Sequence, residues 1–321
     1  RSCSNSPIWP HEMSLFVYSH DVGTRHDPGP GHPEAPIRLK RILAALDAAE
    51  GMRLERRVAE KADRADLARV HTPAHVAGIL DQVPTDGRLP IDMDTWLSPA
   101  SGEAALRAAG AAVQATDAVL GGETRRAFVA MRPPGHHAEP AVAMGFCFFN
   151  NVAVAAARAL EVHGLERVAV LDFDVHHGNG TQAIFETVPK VMYASIHQAP
   201  LFPGTGREDE RGLGNLVNTC LAAGTDGPRW RRALEDRILP AIDGFAPQLV
   251  FISAGFDAHA ADPLANVMID EDDFAWATER MVELAERHAQ GRVVSVLEGG
   301  YDPDALVRSV MAHLKALEDR A

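Results

Sequence analysis

Val168-Ala169-Val170-Leu171-Asp172-Phe173-Asp174-Val175-His176-His177-Gly178-Asn179-Gly180 is the stretch whose reading decides the fold. Through Leu171 it is apolar at every position and rich in valine, as a strand buried on both faces is. It then turns polar and ends in glycines. Side chains alternate across a strand, so Asp172, Asp174 and His176 leave it on one face. Three polar groups on one face of an apolar strand are costly to bury without a counter-charge. A metal ion supplies one. The competing reading is a hydrogen-bonded polar strand end beside a turn.

Outward from this stretch the pattern recurs. Short apolar runs at 127–131, 191–196, 249–253 and 293–297 alternate with helical periodicity at 151–162, 229–245, 271–289 and 304–317. Strand alternating with helix predicts an α/β domain with a parallel sheet. The first third carries two amphipathic helices. One covers 35–50, with Ile37, Ile42, Leu43 and Leu46 on one side and Gly51 as its stop. The other is the alanine-rich run 103–120, stopped by Gly121-Gly122. With no linker or repeat, one domain over 13–321 is expected, its N-terminal helices packed on the sheet. Residues 1–12 are expected to be an added or unstructured leader, with Met13 reading as the native start.

Composition narrows the function. The chain has 321 residues, 46% of them hydrophobic, enough for a large core. The net charge of -13, from 31 basic and 44 acidic residues, argues against nucleic acid as a partner. No apolar run is long enough to cross a bilayer. Three cysteines, Cys3, Cys147 and Cys220, are no disulfide framework and fit a reducing, cytoplasmic setting.

In open parallel sheets, ligands sit beyond the carboxyl ends of the strands. Chemically capable residues fall at five such places: His136-His137, Asp172 to His176, His197, Asp257 and Tyr301. Asp257, in Ser253-Ala254-Gly255-Phe256-Asp257-Ala258-His259, can complete a metal tripod with Asp174 and His176. Two carboxylates and a neutral imidazole balance a dication and leave a position for water, the catalytic rather than the structural zinc pattern. His259 reads as a rim or surface-loop residue, and Asp262, before Pro263, as a turn residue.

Arg132-Pro133-Pro134-Gly135-His136-His137 is a rigid loop, and its histidines suit a general base and an electrostatic partner. Surface histidines or a second metal site are the alternatives. Asp172 and Asn179 are the nearby groups able to fix a histidine tautomer. In Glu298-Gly299-Gly300-Tyr301 the glycines, Gly299 included, admit close approach of a ligand, and the tyrosine can donate to an oxyanion. Phe148 and Phe149 read as core. Phe146 and Phe202, beside glycines, suit the walls of an apolar slot.

Together these segments resemble the zinc-dependent histone deacetylase superfamily, in order from about residue 15 to the end. The matching runs are Arg132 to His137, Gly145-Phe146-Cys147, Asp172 to Gly180, Phe202-Pro203-Gly204-Thr205-Gly206, Gly255-Phe256-Asp257 and Glu298 to Tyr301, with His32-Pro33-Glu34 and Arg38 upstream. Asp-Val-His-His-Gly-Asn-Gly-Thr-Gln and Glu-Gly-Gly-Tyr are closer to the class II and bacterial amidohydrolase branch. The resemblance implies the arginase/deacetylase fold, a parallel sheet of about eight strands with helices on both faces. It implies hydrolysis of an acetylated amine, acetyl-lysine or similar, to acetate and free amine.

The roles it implies are zinc on Asp174, His176 and Asp257, His137 as general base, and His136 as electrostatic histidine held by Asp172. Tyr301 would polarise the carbonyl. Phe146, Phe202 and Gly145 would line the substrate stem, with Leu264 at the rim. It implies structural potassium at Asp172, Asp174 and Ser195 with the carbonyls of His176 and Ile196, and a second near Phe185, Val188 and Val191. Asn179 stands where class I members carry aspartate, and Leu264 where the acetylpolyamine branch often carries an acid. An acetylpolyamine amidohydrolase, a two-manganese arginase-like hydrolase and a non-catalytic binder of acetylated amines are the rival readings. Zinc or iron(II) in the cell and a homo-oligomeric state stay open.

Overall fold

The computed structural model describes residues 13–318, so the predicted leader 1–12 lies outside the described residues. One eight-stranded parallel sheet organises the chain. Its strands are β1 (Leu15–Ser19), β2 (Leu54–Val58), β3 (Arg126–Ala130), β4 (Val168–Asp172), β5 (Val191–Gln198), β6 (Leu216–Leu221), β7 (Leu249–Ala254) and β8 (Val293–Leu297). Their spatial order is β2-β1-β3-β8-β7-β4-β5-β6. The five runs read as strands are β3, β4, β5, β7 and β8.

Of the three strands not recognised in the sequence, β1 (Leu-Phe-Val-Tyr-Ser) is apolar and buried, and is passed over as part of a first third that reads as helical. β2 and β6 are the sheet's two edges, where burial is incomplete and the apolar signal weak. β2 is Leu-Glu-Arg-Arg-Val with no fully buried residue, and β6 is interrupted by Asn218 and Thr219. The first third is therefore not helical throughout, since β1 and β2 add two strands to that side of the sheet.

Both faces are covered, as near-continuous apolar strands require. Phe16, Tyr18, Ala127, Val129, Val168, Val170, Phe251, Val294 and Val296 pack under helices α2 (Ser101–Gly121) and α3 (Asn151–Glu161). The alternate residues Leu15, Val17, Phe128, Leu171, Val250, Ile252, Val293 and Leu297 face the other core. That side is closed by α1 (Ile37–Asp47), α5 (Glu271–His288) and α6 (Pro303–Leu317), with a helical run over 227–245 containing a π turn. Short helix α4 (Asn179–Phe185) follows the Asp172 segment. α2 ends where the glycine pair predicts, with Gly122 left-handed at φ 84°. α1 stops at Asp47, short of Gly51. Among the described residues no helix is long and apolar enough to cross a membrane.

A buried ion network ties the N-terminal segment to the carboxyl ends of the strands. Glu34, Arg38 and Arg132 are all fully buried. Arg38 donates to Glu34 at 2.8 Å, to the Gly300 carbonyl at 2.5 Å and to the Glu298 carbonyl at 2.6 Å. Arg132 grips the same Glu34 carboxylate. Burial opposes the Glu34 charge, but Arg132, His26 and Arg38 outweigh it and hold the carboxyl well below the usual range.

Gly110, inside α2, is where the segment 60–62 crosses the helix. A Cβ there would lie 2.1 Å from the Glu60 carbonyl oxygen and 2.5 Å from the Ala62 nitrogen. Alanine is the better helix former by about 1 kcal/mol, yet Gly110→Ala is expected to lower stability by about 1–3 kcal/mol through overpacking. Thermal or urea unfolding of the variant checks the sign.

Candidate active site

The site lies at the carboxyl ends of four adjacent strands, β3, β8, β7 and β4, in the middle of the sheet. Asp174 and Asp257 are fully buried, and His176 nearly so. One ligand atom from each lies within 4.8 Å of the others, so the three can hold a metal ion. His176 Nδ1 is 3.1 Å from Asp174 Oδ1 and 3.1 Å from Asp257 Oδ2. Burial opposes charge on this imidazole, but the two carboxylates prevail and push its pKa up to about 10. Two carboxylates and an imidazole form a donor set that fits a borderline divalent metal.

The backbone fixes the ligands. Asp174 Oδ1 accepts the His176 N–H at 2.9 Å, its Oδ2 accepts the Gly299 N–H at 2.9 Å, and Asp257 Oδ1 accepts the Val175 N–H at 2.8 Å. A Cβ at Gly255 or Gly299 would lie 2.0 or 2.6 Å from Asp174 Oδ2. Gly299, expected on the substrate side, is thus packed against the carboxylates and is not part of the pocket wall.

The paired histidines differ in electrostatic environment. His136 Nδ1 sits 3.0 Å from Asp172 Oδ2, which also accepts the Tyr193 hydroxyl at 2.9 Å. Burial disfavours its charge, yet Asp174 and Asp172 hold its pKa well above the usual histidine value. His137 is pushed well below that value by burial and by the positive neighbours His136 and His176. Its tautomer follows from the hydrogen bonds. Asn179 Nδ2 donates to Glu139 Oε1 at 2.8 Å, so Asn179 Oδ1 accepts from His137 Nδ1 at 2.8 Å. The proton is on Nδ1, and Nε2 keeps its lone pair.

His137 and His176 line a pocket of about 240 Å³ with Asp94, Gly145, Phe146, Leu201, Phe202, Leu264 and Tyr301. The sequence-read wall residues Gly145, Phe146, Phe202 and Leu264 are therefore brought together. Phe146 adopts φ 70°, a left-handed conformation that costs a bulky side chain of order 1–3 kcal/mol. Its ring meets that of Tyr301 at 5.7 Å. A Cβ on Gly145 would fall 2.5 Å from His137 Cδ2 and 3.0 Å from Phe202 Cε1, so only glycine fits between them. Phe148 and Phe149 are core, as read.

Other expected residues lie elsewhere. His197 is inside β5, on the side of β4 away from β7, and its ring bonds Ser195 Oγ at 2.9 Å and the Gly206 carbonyl at 3.0 Å. It holds the 199–206 loop and does not reach the pocket. His259 is neither rim nor surface. It is buried, with Nδ1 accepting the Ala261 N–H at 3.0 Å. Asp262 does form a turn, accepting the Leu264 N–H at 3.0 Å, and its other oxygen accepts the Tyr301 N–H at 2.6 Å. Cys147 is buried, and its thiol donates to the Gly145 carbonyl at 3.3 Å.

Asp94, Leu201 and Arg38 are the site residues without a reading of their own in the sequence. Asp94 and Leu201 lie on loops, away from any apolar run. Arg38 stacks on the Tyr301 ring at 4.8 Å from across the chain, with no local signal beyond its place in an N-terminal motif.

The two monovalent-cation sets behave differently. The β4–β5 register places Asp172 opposite Ser195, an oxygen-rich neighbourhood that suits potassium. The carbonyls of Phe185, Val188 and Val191 do converge, but on Asn215 Nδ2, at 2.8, 3.1 and 2.8 Å. Asn215 Oδ1 accepts the Leu213 N–H at 3.0 Å, which fixes the amide orientation. A side-chain amide fills the centre of this second set, so these residues do not fit a second potassium ion.

The comparisons agree with the geometry. The family model described as histone deacetylase domain matches residues 32–317. A "Histone deacetylase-like amidohydrolase" of Pseudomonas aeruginosa is 45% identical over 278 residues, covering 84% of this chain and 73% of that protein. The human "Polyamine deacetylase HDAC10" is 37% identical over 306 residues, 89% of this chain and 45% of that protein. The solved HDA15 HD domain superposes with a TM-score of 0.89 at 34% identity, over 95% of this chain and 88% of that one. The fold, the buried triad and these relatives lead to one statement: the chain belongs to the histone deacetylase family.

Proposed function

We propose that this deacetylase, an amide hydrolase acting on acetylated amines, uses Asp174, His176 and Asp257 to hold zinc and removes acetyl groups from lysine side chains. The observation that carries the reading is the free Nε2 of a neutral His137 opening on the same pocket as His176 and Tyr301. Zinc held there supplies Lewis acidity, acidifying water and polarising a carbonyl. His137 Nε2 takes the proton of the attacking water and later returns it to the leaving amine. His136, kept cationic by Asp172, stabilises negative charge beside it. The Tyr301 hydroxyl donates to the acetyl oxygen as that oxygen gains charge. Burial holds the Tyr301 pKa well above the usual value, so it remains a donor. Phe146, Phe202, Leu201 and Leu264 would clasp an aliphatic stem.

A second reading, an acetylpolyamine substrate, is favoured by Asp94, a carboxylate in the pocket wall that can meet a second ammonium group. Leu264, which offers no charge, favours the lysine reading. For monovalent cations we propose a single potassium site at Asp172, Asp174, Ser195 and the carbonyls of His176 and Ile196. The free thiols Cys147 and Cys220 suit a reducing compartment, and a cytoplasmic place belongs to the same proposal.

Kinetics on acetyl-lysine peptides and acetylpolyamines side by side are expected to favour the peptides, with Tyr301→Phe lowering kcat by about 100-fold, the worth of one oxyanion donor. Near-normal turnover in that variant removes the tyrosine from the mechanism, and a preference for polyamines selects the second reading. Asp257→Ala should purify with zinc well below one per chain by elemental analysis, since it leaves only two ligands. Anomalous diffraction from thallium-soaked crystals should show one monovalent ion per wild-type chain and a second, at the Phe185 carbonyl set, in Asn215→Ala.

A further inference from the structure

Glu298 follows β8 and is fully buried. Among the described residues it has no arginine or lysine in ion-pair contact, because Arg38 reaches its backbone carbonyl and not its carboxylate. Burying a carboxylate without a cationic partner costs several kcal/mol. Desolvation pushes its pKa up to about 7, against the His136 charge and the Gly135 and His136 N–H groups, which pull it down. A side chain kept at such a cost points to a task beyond packing.

Its contacts identify the task. Glu298 Oε2 accepts the Gly135 N–H at 2.7 Å and the His136 N–H at 3.1 Å, while Oε1 faces Ser253 Oγ at 3.3 Å. One oxygen thus grips two consecutive backbone donors at the root of the histidine pair. On its other side the same loop is trapped against the start of α3, where a Cβ on Gly135 would lie 2.5 Å from the Asn151 nitrogen. The His136 and His137 rings, 4.0 Å apart, project from this pinned root. Bonds to a charged acceptor are roughly twice as strong as neutral ones.

We propose that Glu298 is a positioning residue for the deacetylation reaction. Its carboxylate locks the backbone from which His136 and His137 reach the substrate, and its charge offsets the positive charge that the pair carries during turnover. The proposal rests on the assignment of His137 as the base.

The test is a double-mutant cycle on the zinc-loaded full chain, with kcat, KM, zinc content and melting temperature measured for each variant. Misplacing a catalytic group by about 1 Å can cost about 100-fold, and a kcat loss of that order with KM little changed is expected for Glu298→Ala. Glu298→Gln keeps an acceptor without the charge and should recover part of the rate, leaving a loss of about tenfold. In a His137→Ala background, either Glu298 substitution should cost almost nothing more, because residues that act as a unit are not additive. Wild-type kcat in Glu298→Gln, or a loss that adds in full to that of His137→Ala, overturns the proposal. If Glu298→Ala does not fold, the Glu298→Gln arm decides alone. Substantial residual turnover in His137→Ala by itself would instead refute the base assignment.

Discussion

Two carboxylates held dry within reach of one another are the constraint on which this structure depends. Asp174 and Asp257 leave neighbouring strands and meet where water is excluded, and like charges so placed cannot both stay ionised without a cation between them. The His176 ring lies 3.1 Å from each carboxylate, and a dication held by the three residues would meet that need. The surrounding glycines follow from the same crowding. Gly255 and Gly299 leave room for the Asp174 carboxylate, and the Gly299 N–H holds it in place. The strand order β3-β8-β7-β4 then sets the histidine pair and Tyr301 around the acids.

A second layer makes the pocket asymmetric. Asp172 and Asn179, one charged and one neutral, each bind the Nδ1 of one member of the histidine pair. The carboxylate favours an imidazolium and the amide a neutral ring, so two adjacent residues of one type acquire opposite proton affinities. The amide owes its orientation to Glu139, whose carboxylate accepts from Asn179 Nδ2 at 2.8 Å. Such division of labour between like groups is a common device for acid and base chemistry at one pH.

The central strands and the ligands they carry were legible in the sequence because a strand buried on both faces has to be apolar and because Asp174, His176 and Asp257 break that pattern abruptly. The flanking strands were not. β2 is charged and half-exposed, and β6 carries polar residues that bind the neighbouring loop, so neither shows the period that marks a buried strand. His197 shows the limit of inferring position from strand ends, since its strand runs on through it and lies outside the four that converge. Asp94 reaches the pocket through tertiary contact alone, which no local pattern encodes, and the motif that contains Arg38 does not show that it meets Tyr301. The Asn215 amide corrects an expectation drawn from resemblance, because three carbonyls can be satisfied by a nitrogen of the chain itself.

β8 is the last of the eight strands in chain order, yet it lies at the middle of the sheet, between β3 and β7. Without β8 the sheet is two separate blocks of strands, β2-β1-β3 and β7-β4-β5-β6, and β8 alone joins them. Asp174 and Asp257 belong to one block and the histidine pair to the other, so neither block alone contains the reaction centre. The strand that joins them also brings Glu298 and Tyr301. The complete centre thus requires the β8–β3 pairing, a strand contact of great sequence separation, the kind that is intrinsically slow to form. A partly folded chain could bind a metal between its two acids, but it would have no base or oxyanion donor with which to use it.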